Sequence, residues 1–305
     1  MKYRRLGKTE LTVSVIGIGT WQFGGEWGKE FQQAEVHTIL NRAFELGINL
    51  IDTAECYGDH TSERLIGQAI RQNRQDWIIA TKFGHRYLGN FQREQLWSAQ
   101  DVQKQLEESL WALQTDYLDL YQFHSGEDDA FLNEDLWTML HKQVELGKIR
   151  HLGISISSRG DRTLQVAKAS QVGAGAIQLV YNRLNRQAEE TIFPLCIQQD
   201  LGVMARVPLA SGLLSGKYKP GDQFTVLTDV RSIMDAQKLE QDLRAVKEIQ
   251  EKEVPPGIPM ASWALAWCLN QPAVTCVIPG CKSVQQLEVN ASAAEISLTR
   301  ENPTL

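Results

Sequence analysis

Apolar runs of strand length alternate with helix-period stretches along almost the whole chain, and this repeat constrains the fold more than any other feature. The strand candidates are Ser14–Ile18, Asn49–Thr53, Trp77–Thr81, Tyr117–Phe123, His151–Ser155, Ala176–Val180, Val203–Val207 and Thr275–Ile278. Between them lie amphipathic stretches at Ala34–Leu46, Ser62–Arg71, Ala99–Leu113, Glu134–Leu146, Asp161–Val172 and Ala188–Gln199. In the first, Val36, Ile39, Leu40, Ala43 and Leu46 recur at helical spacing and Gly47 supplies the stop. Repeated β-then-α units imply parallel strands joined by helical crossovers. Eight of them predict closure into a (β/α)8 TIM barrel, where five or six would suit an open sheet.

An N-terminal β-hairpin, Tyr3–Leu6 and Leu11–Val15 turning at Gly7-Lys8, precedes the repeat. The rhythm breaks at residues 208–258, a long connection containing a helix over Asp235–Glu253, and Met260–Asn270 adds another helix before the last strand. A length of 305 residues admits two domains or one large barrel. With no Pro/Gly/Ser linker or low-complexity run, one domain over 1–305 is the simpler expectation. The 31 basic and 37 acidic residues leave a net charge of −6, which gives no reason to expect nucleic acid or an acidic membrane. The five cysteines are scattered without a C-x-x-C pair, so neither a disulfide framework nor a zinc site is expected. The N-terminus lacks an apolar signal region, no apolar run approaches the ~20 residues of a membrane span, and a cytoplasmic protein is expected. Asn290-Ala291-Ser292 fits a glycosylation sequon and is read as coincidence.

In a barrel of this kind the chemistry sits at the C-terminal strand ends. Those ends carry Asp52-Thr53 with Tyr57 just beyond, then Lys82, His124, Ser155 and Asn182. Each alone has an ordinary structural explanation; their arrival on one rim is what signals function. The other histidines (His37, His60, His85, His141 and His151) have no assigned role. Gly17-Ile18-Gly19 fails as a dinucleotide fingerprint because Gln22 stands where the third glycine belongs. Gly212–Tyr218 fails as a Walker A loop: it is one residue short, and Tyr218 replaces the Ser/Thr.

Asn-Leu-Ile-Asp-Thr-Ala-Glu-Cys-Tyr-Gly (49–58), Ala-Thr-Lys-Phe-Gly (80–84) and Asp-Leu-Tyr-Gln-Phe-His (119–124) resemble three signature blocks of the aldo-keto reductases. The resemblance spans nearly the whole chain and implies a catalytic tetrad of Asp52, Tyr57, Lys82 and His124. The chemistry is consistent with it. Hydride reduction of a carbonyl creates an alkoxide that needs a proton. A free tyrosine, with a pKa near ~10, is a weak acid for the task, and the Lys82 ammonium is expected to lower that pKa. Asp52 would orient Lys82, and His124 would hydrogen-bond the carbonyl oxygen.

The same resemblance implies NADPH/NADP+ as cofactor. It places Gly19, Thr20, Trp21 and Asp52 beside the nicotinamide, with Trp21 and Trp27 lining the substrate pocket. Pro208, Leu209, Ser211, Gly212 and Lys217 would fold over the pyrophosphate. Gly280, Lys282 and Ser283 would meet the adenosine 2′-phosphate at a helix N-terminus, with a plain helix cap as the alternative for Ser283. Gln286 and Asn290 would reach adenine. Two positions depart from the family pattern. Ile156 replaces the usual Asn, leaving Ser155 and Gln178 for the carboxamide, with Ser157 or Asn182 in support. Arg206 replaces the Tyr that stacks on nicotinamide; a guanidinium can also stack, and its charge would favour the reduced ring.

The expected activity is reduction of a small carbonyl substrate, with no metal. The alternative is an NADP(H)-binding redox sensor or regulatory subunit, as in the family's potassium-channel β subunits. A metal hydrolase would need a ligand cluster, and His124 alone is too little. Substrate choice is expected to lie in Phe23–Phe31, Ser125–Asp135 and Gly221–Asp235, with Glu127-Asp128-Asp129 disfavouring anions or simply solvated. Oligomeric state is left open.

Overall fold

The computed structural model describes residues 1–298. Strands β1 (Tyr3–Arg5) and β2 (Thr12–Ser14) pair antiparallel as the expected hairpin. There follow β3 (Ile18–Gly19), α1 (Gln33–Glu45), β4 (Leu50–Asp52), α2 (Thr61–Ile70) and β5 (Ile78–Phe83). A second hairpin, β6 (His85–Gly89) and β7 (Gln92–Gln95), precedes α3 (Ala99–Ala112), β8 (Leu118–His124), α4 (Asp128–Phe131) and α5 (Glu134–Glu145). The rest comprises β9 (Ile149–Ser155), α6 (Thr163–Ala167), β10 (Ala174–Val180), α7 (Ile192–Gln198), β11 (Gly202–Arg206), α8 (Ala236–Lys252), α9 (Met260–Leu269), β12 (Cys276–Val277) and α10 (Val284–Ser292).

Strands β3, β4, β5, β8, β9, β10, β11 and β12 form one parallel sheet in chain order. Its two ends meet. Gly17 N donates to Val277 O (2.8 Å), Val277 N to Val15 O (2.9 Å) and Gly19 N to Pro279 O (3.1 Å), closing the (β/α)8 barrel. No helix among the described residues is long and apolar enough to cross a membrane.

The helices form where side chains satisfy their first turns. Ser98, Asn133, Asp235 and Ser283 each accept a backbone N–H from the start of the following helix. Two expected helices are shorter than their patterns. Helix α7 starts only at Ile192 because Pro194 has no N–H to give an interior turn and fits only in the first one. Helix α6 starts at Thr163 without a side-chain cap and ends by Ala167, so only the middle of Asp161–Val172 is helical and its end is turn. The sequon falls inside α10, and the side chain of Asn290 is buried there, which removes it as a glycosylation acceptor.

The main core fills the layer between strands and helices. A second set occupies the barrel interior: Leu50, Ala80, Leu120, Ala176, Met204 and Cys276, with Leu6 and Val13 of the first hairpin beneath them. Leu6 plugs the N-terminal mouth. It is wholly buried, and a Cβ at Gly202, the first residue of β11, would lie 2.6 Å from its side chain. Sealing that mouth leaves the opposite end as the rim where the polar strand-end residues face the main cavity. Leu6→Ala should therefore destabilise the fold by about 2–5 kcal/mol in urea unfolding; a loss below about 1 kcal/mol would show that the hairpin is not a structural plug.

Candidate active site

At the C-terminal rim a cavity of about 660 Å³ is bounded by residues from most of the strand ends. Its chemical centre is Lys82, the penultimate residue of β5. The Lys82 side chain is completely buried, and its Nζ donates to Asp52 Oδ2 (2.8 Å), Thr53 O (2.7 Å) and Tyr57 OH (3.3 Å). A buried ammonium is tolerated only when so partnered. Burial works to lower its pKa, but Asp52 and Tyr57 outweigh this and raise it, so Lys82 stays charged.

Asp52 is held from its other side. Its Oδ1 accepts from Gln178 Nε2 (2.6 Å) and Gln122 Nε2 (3.2 Å), and Ser155 Oγ donates to Gln178 Oε1 (3.2 Å). The Asp52 carbonyl accepts from the amide and hydroxyl of Thr20. Strand register sets this up: Gly19 pairs with Asp52, Lys82 with Gln122, and Ser155 with both His124 and Gln178.

Tyr57 lies on the cavity wall against Trp21, with near-parallel rings 6.0 Å apart, and meets His124 edge-on at 6.4 Å. Burial pushes the phenol pKa up to about 12, against the opposing pull of Lys82. The expected lowering is thus reversed: desolvation outweighs the ammonium, and Tyr57 is a protonated donor. Burial, reinforced by His85, Lys82, Arg206 and Arg93, holds the His124 pKa well below the ordinary histidine value, so this imidazole is neutral at pH 7.

Most of the residues named from sequence share this cavity. Gly19, Thr20, Trp21, Asp52, Tyr57, His124, Gln178, Arg206, Pro208, Leu209, Ser211, Gly212, Lys217, Gly280, Lys282, Gln286 and Asn290 all line it. Three do not. Lys82 sits behind Tyr57, Ser155 is sealed behind Gln178, and Ser283 uses its hydroxyl to cap α10 by accepting from Gln286 N (3.3 Å). Arg206 Nη2 donates to the carbonyl of Ile156 (3.1 Å), so the two departures from the family pattern touch one another. Of the acidic loop, Glu127 pairs with Arg162 and Asp128 with Gln165, away from the cavity wall.

Sequence reasoning missed four contributors. Gln122 has no role in the sequence reading, although a polar residue inside an apolar strand signals an inward partner. The β6–β7 hairpin was missed despite its Gly89-Asn90 turn dipeptide. It brings Arg93 and the Phe91 amide to the buried carboxylate of Glu26, which also accepts from Trp21 Nε1 (2.7 Å). Arg231, paired with Asp229, enters the cavity from the long connection after β11. That connection is stitched over the rim by Val230 N to Glu26 O (2.9 Å) and Gly28 N to Thr228 O (3.1 Å). His85 also lines the wall.

Comparison with known proteins agrees with this geometry. The model of the aldo/keto reductase family matches residues 15–303. The chain is 34% identical over 296 residues to the uncharacterized oxidoreductase YqkF of Bacillus subtilis, covering 96% of this chain and 91% of that protein. It resembles the holo form of aldo-keto reductase AKR11C1 from Bacillus halodurans (TM-score 0.83, 31% identity, 99% of this chain and 93% of that one). It also resembles the glycerol dehydrogenase AKR11B4 of Gluconobacter oxydans (TM-score 0.84, 28% identity, 98% and 92%). With the family blocks in register on a closed barrel, and Asp52, Tyr57, Lys82 and His124 gathered at its rim, the chain belongs to the aldo/keto reductase family.

Proposed function

We propose that this protein uses NADPH to reduce an aldehyde or ketone to the alcohol, with Tyr57 as the proton donor. The observation that carries the reading is a protonated phenol 3.3 Å from a buried ammonium, on the wall of a cavity whose other end is cationic. A bound reduced nicotinamide supplies the hydride. As negative charge grows on the carbonyl oxygen, the Tyr57 hydroxyl gives up its proton, and Lys82 stabilises the phenolate left behind. Asp52 keeps Lys82 in place and charged. The buried Cys56 thiol, raised in pKa by burial and by Glu55, stays protonated and lies 3.9 Å from His124 Nδ1. Donation to that nitrogen leaves the proton on Nε2, which suits His124 to orient the carbonyl oxygen by hydrogen bonding.

The lining fits the cofactor piece by piece. Gln178 Oε1 can accept from a carboxamide, and Arg206 Nε is a buried donor with no partner in the protein. Ser211, Gly212 and Lys217 suit a diphosphate, in a turn where Ala210, Ser211 and Gly212 all take positive φ. Lys282 and Arg231 share the adenosine end with Gln286 and Asn290, and their combined charge suits a 2′-phosphate. Ser283, already engaged as a cap, contributes less there than its sequence position suggested. Lys282 Nζ, donating to Trp27 O, would turn to reach the phosphate.

Four outcomes test this reading. Tyr57→Phe should lower kcat for a small aldehyde by about 10²- to 10⁴-fold while NADPH affinity is kept. Because the phenol holds its proton to about 12, wild-type reduction should not decline between about pH 6 and about pH 8 for want of the acid proton. Retained turnover in Tyr57→Phe would remove the tyrosine from its role. Lys282→Ala should weaken NADPH binding at least about tenfold, the scale of a lost charge-assisted bond, and leave NADH nearly unaffected; equal losses would exclude a 2′-phosphate contact. Arg206→Tyr should shift the NADPH-to-NADP+ affinity ratio toward NADP+, and an unchanged ratio in fluorescence titrations would sink the stacking role.

A further inference from the structure

We propose that Glu55, Cys56, His85 and His124 form a closed binding site for a zinc-class divalent cation, and that filling it takes His124 away from the carbonyl. One donor atom from each of these residues lies within 4.8 Å of all the others. Sulfur, two imidazole nitrogens and a carboxylate oxygen make a ligand set typical of zinc, and harder cations such as magnesium or calcium would prefer oxygen alone. Zinc bonds of about 2.0 to 2.3 Å place tetrahedral ligands about 3.5 Å apart, so shifts on the order of 1 Å per side chain complete the geometry.

Each ligand is available. Glu55 Oε1 accepts from the His85 amide (3.0 Å), which fixes the carboxylate, while Oε2 is buried with no hydrogen-bond partner. Burial pushes the Glu55 carboxyl up to about 8, and a buried carboxyl oxygen left unpaired is an unusual liability that a bound cation would relieve. The His85 and His124 rings stand 4.7 Å apart at 48°, stacked neither face to face nor edge on, and Cys56 Sγ is 3.9 Å from His124 Nδ1. Cys56, His85 and His124 all border the main cavity, which provides the way in. The surrounding cations do not veto the charge. Lys82 is matched by Asp52 and Arg93 by Glu26, while Glu55 and a Cys56 thiolate balance the dication itself. On binding, the Cys56 S–H bond breaks and the carboxyl proton of Glu55, which burial pushes up to about 8, is also released; both protons leave to solvent, and no electron is transferred, because zinc has no accessible redox change.

Four protein ligands leave no open position for a substrate, so this is an inhibitory site and not a Lewis-acid centre. His85, without a role in the sequence reading, acquires one here. The site itself stands on geometry alone, and only its inhibitory consequence rests on the proposed carbonyl reduction. The two are separable in one experiment. Purified full-length apoprotein is dialysed against Zn2+ alone, and in parallel Co2+ is added and followed by absorption. We expect one equivalent of zinc, a thiolate-to-cobalt charge-transfer band, and affinity lower by at least about tenfold in Cys56→Ser and in His85→Asn, since even outer-shell changes reach that scale. Tyr57→Phe should bind zinc like wild type, whatever its turnover. Absence of bound zinc, or zinc held equally well by both ligand variants while they unfold cooperatively like wild type, would overturn the proposal.

Discussion

Everything at the rim is arranged around one buried ammonium. Lys82 has no contact with solvent, and an isolated charge there would carry a desolvation penalty of several kcal/mol even after relaxation. The protein meets that penalty with Asp52, the Thr53 carbonyl and the Tyr57 hydroxyl. Asp52 in turn is a buried anion, and it consumes the side-chain amides of Gln122 and Gln178. Four strands, β4, β5, β8 and β10, are thereby committed to polar inward residues on one level of the barrel. A site with so many mutually dependent partners has little freedom to drift, which is what proton transfer requires.

The same constraint explains how acidity is set. Lys82 does not make Tyr57 acidic in the resting site, because burial of the phenol outweighs the ammonium. In the proposed reduction, Lys82 would instead stabilise the phenolate after the proton has gone, an interaction strongest when charge has developed. Such a role would be differential stabilisation of the reacting state, not of the ground state. Around this core the substrate wall is built from parts distant in sequence. The buried carboxylate of Glu26 ties together Trp21, the β6–β7 hairpin and, through its backbone, the connection following β11.

The barrel was legible because it depends on periodicity, and periodicity survives in a single sequence. The eight apolar runs and most of the helices between them match the observed elements, α6 and α7 being shorter than their patterns. The gathering of Asp52, Tyr57, Lys82 and His124 at one rim is legible through their strand ends and the family blocks. What escaped depends on long-range pairing. No local pattern announces that Glu26 will be met by Arg93, or that Arg231 will enter the cavity beside Lys282, because both result from loops crossing the rim. The Tyr57 pKa was misjudged for a related reason. Charge proximity can be inferred from a motif, whereas the depth of burial that opposes it comes only with the fold. Helix α7 was overextended through neglect of Pro194, a signal that was present in the sequence.

The claim that Lys82 organises the chemistry is tested most directly by comparing Lys82→Met with wild type. The readouts are kcat/KM for a small aldehyde with NADPH, NADPH affinity by tryptophan fluorescence, and thermal unfolding of the same samples. The account predicts a kcat/KM loss of at least about 10²-fold, with NADPH affinity within about threefold of wild type and a cooperative, though lowered, melting transition. A Lys82→Met protein that reduces the aldehyde within a few-fold of wild type would contradict it, because the buried ammonium would then stabilise nothing that matters to the reaction.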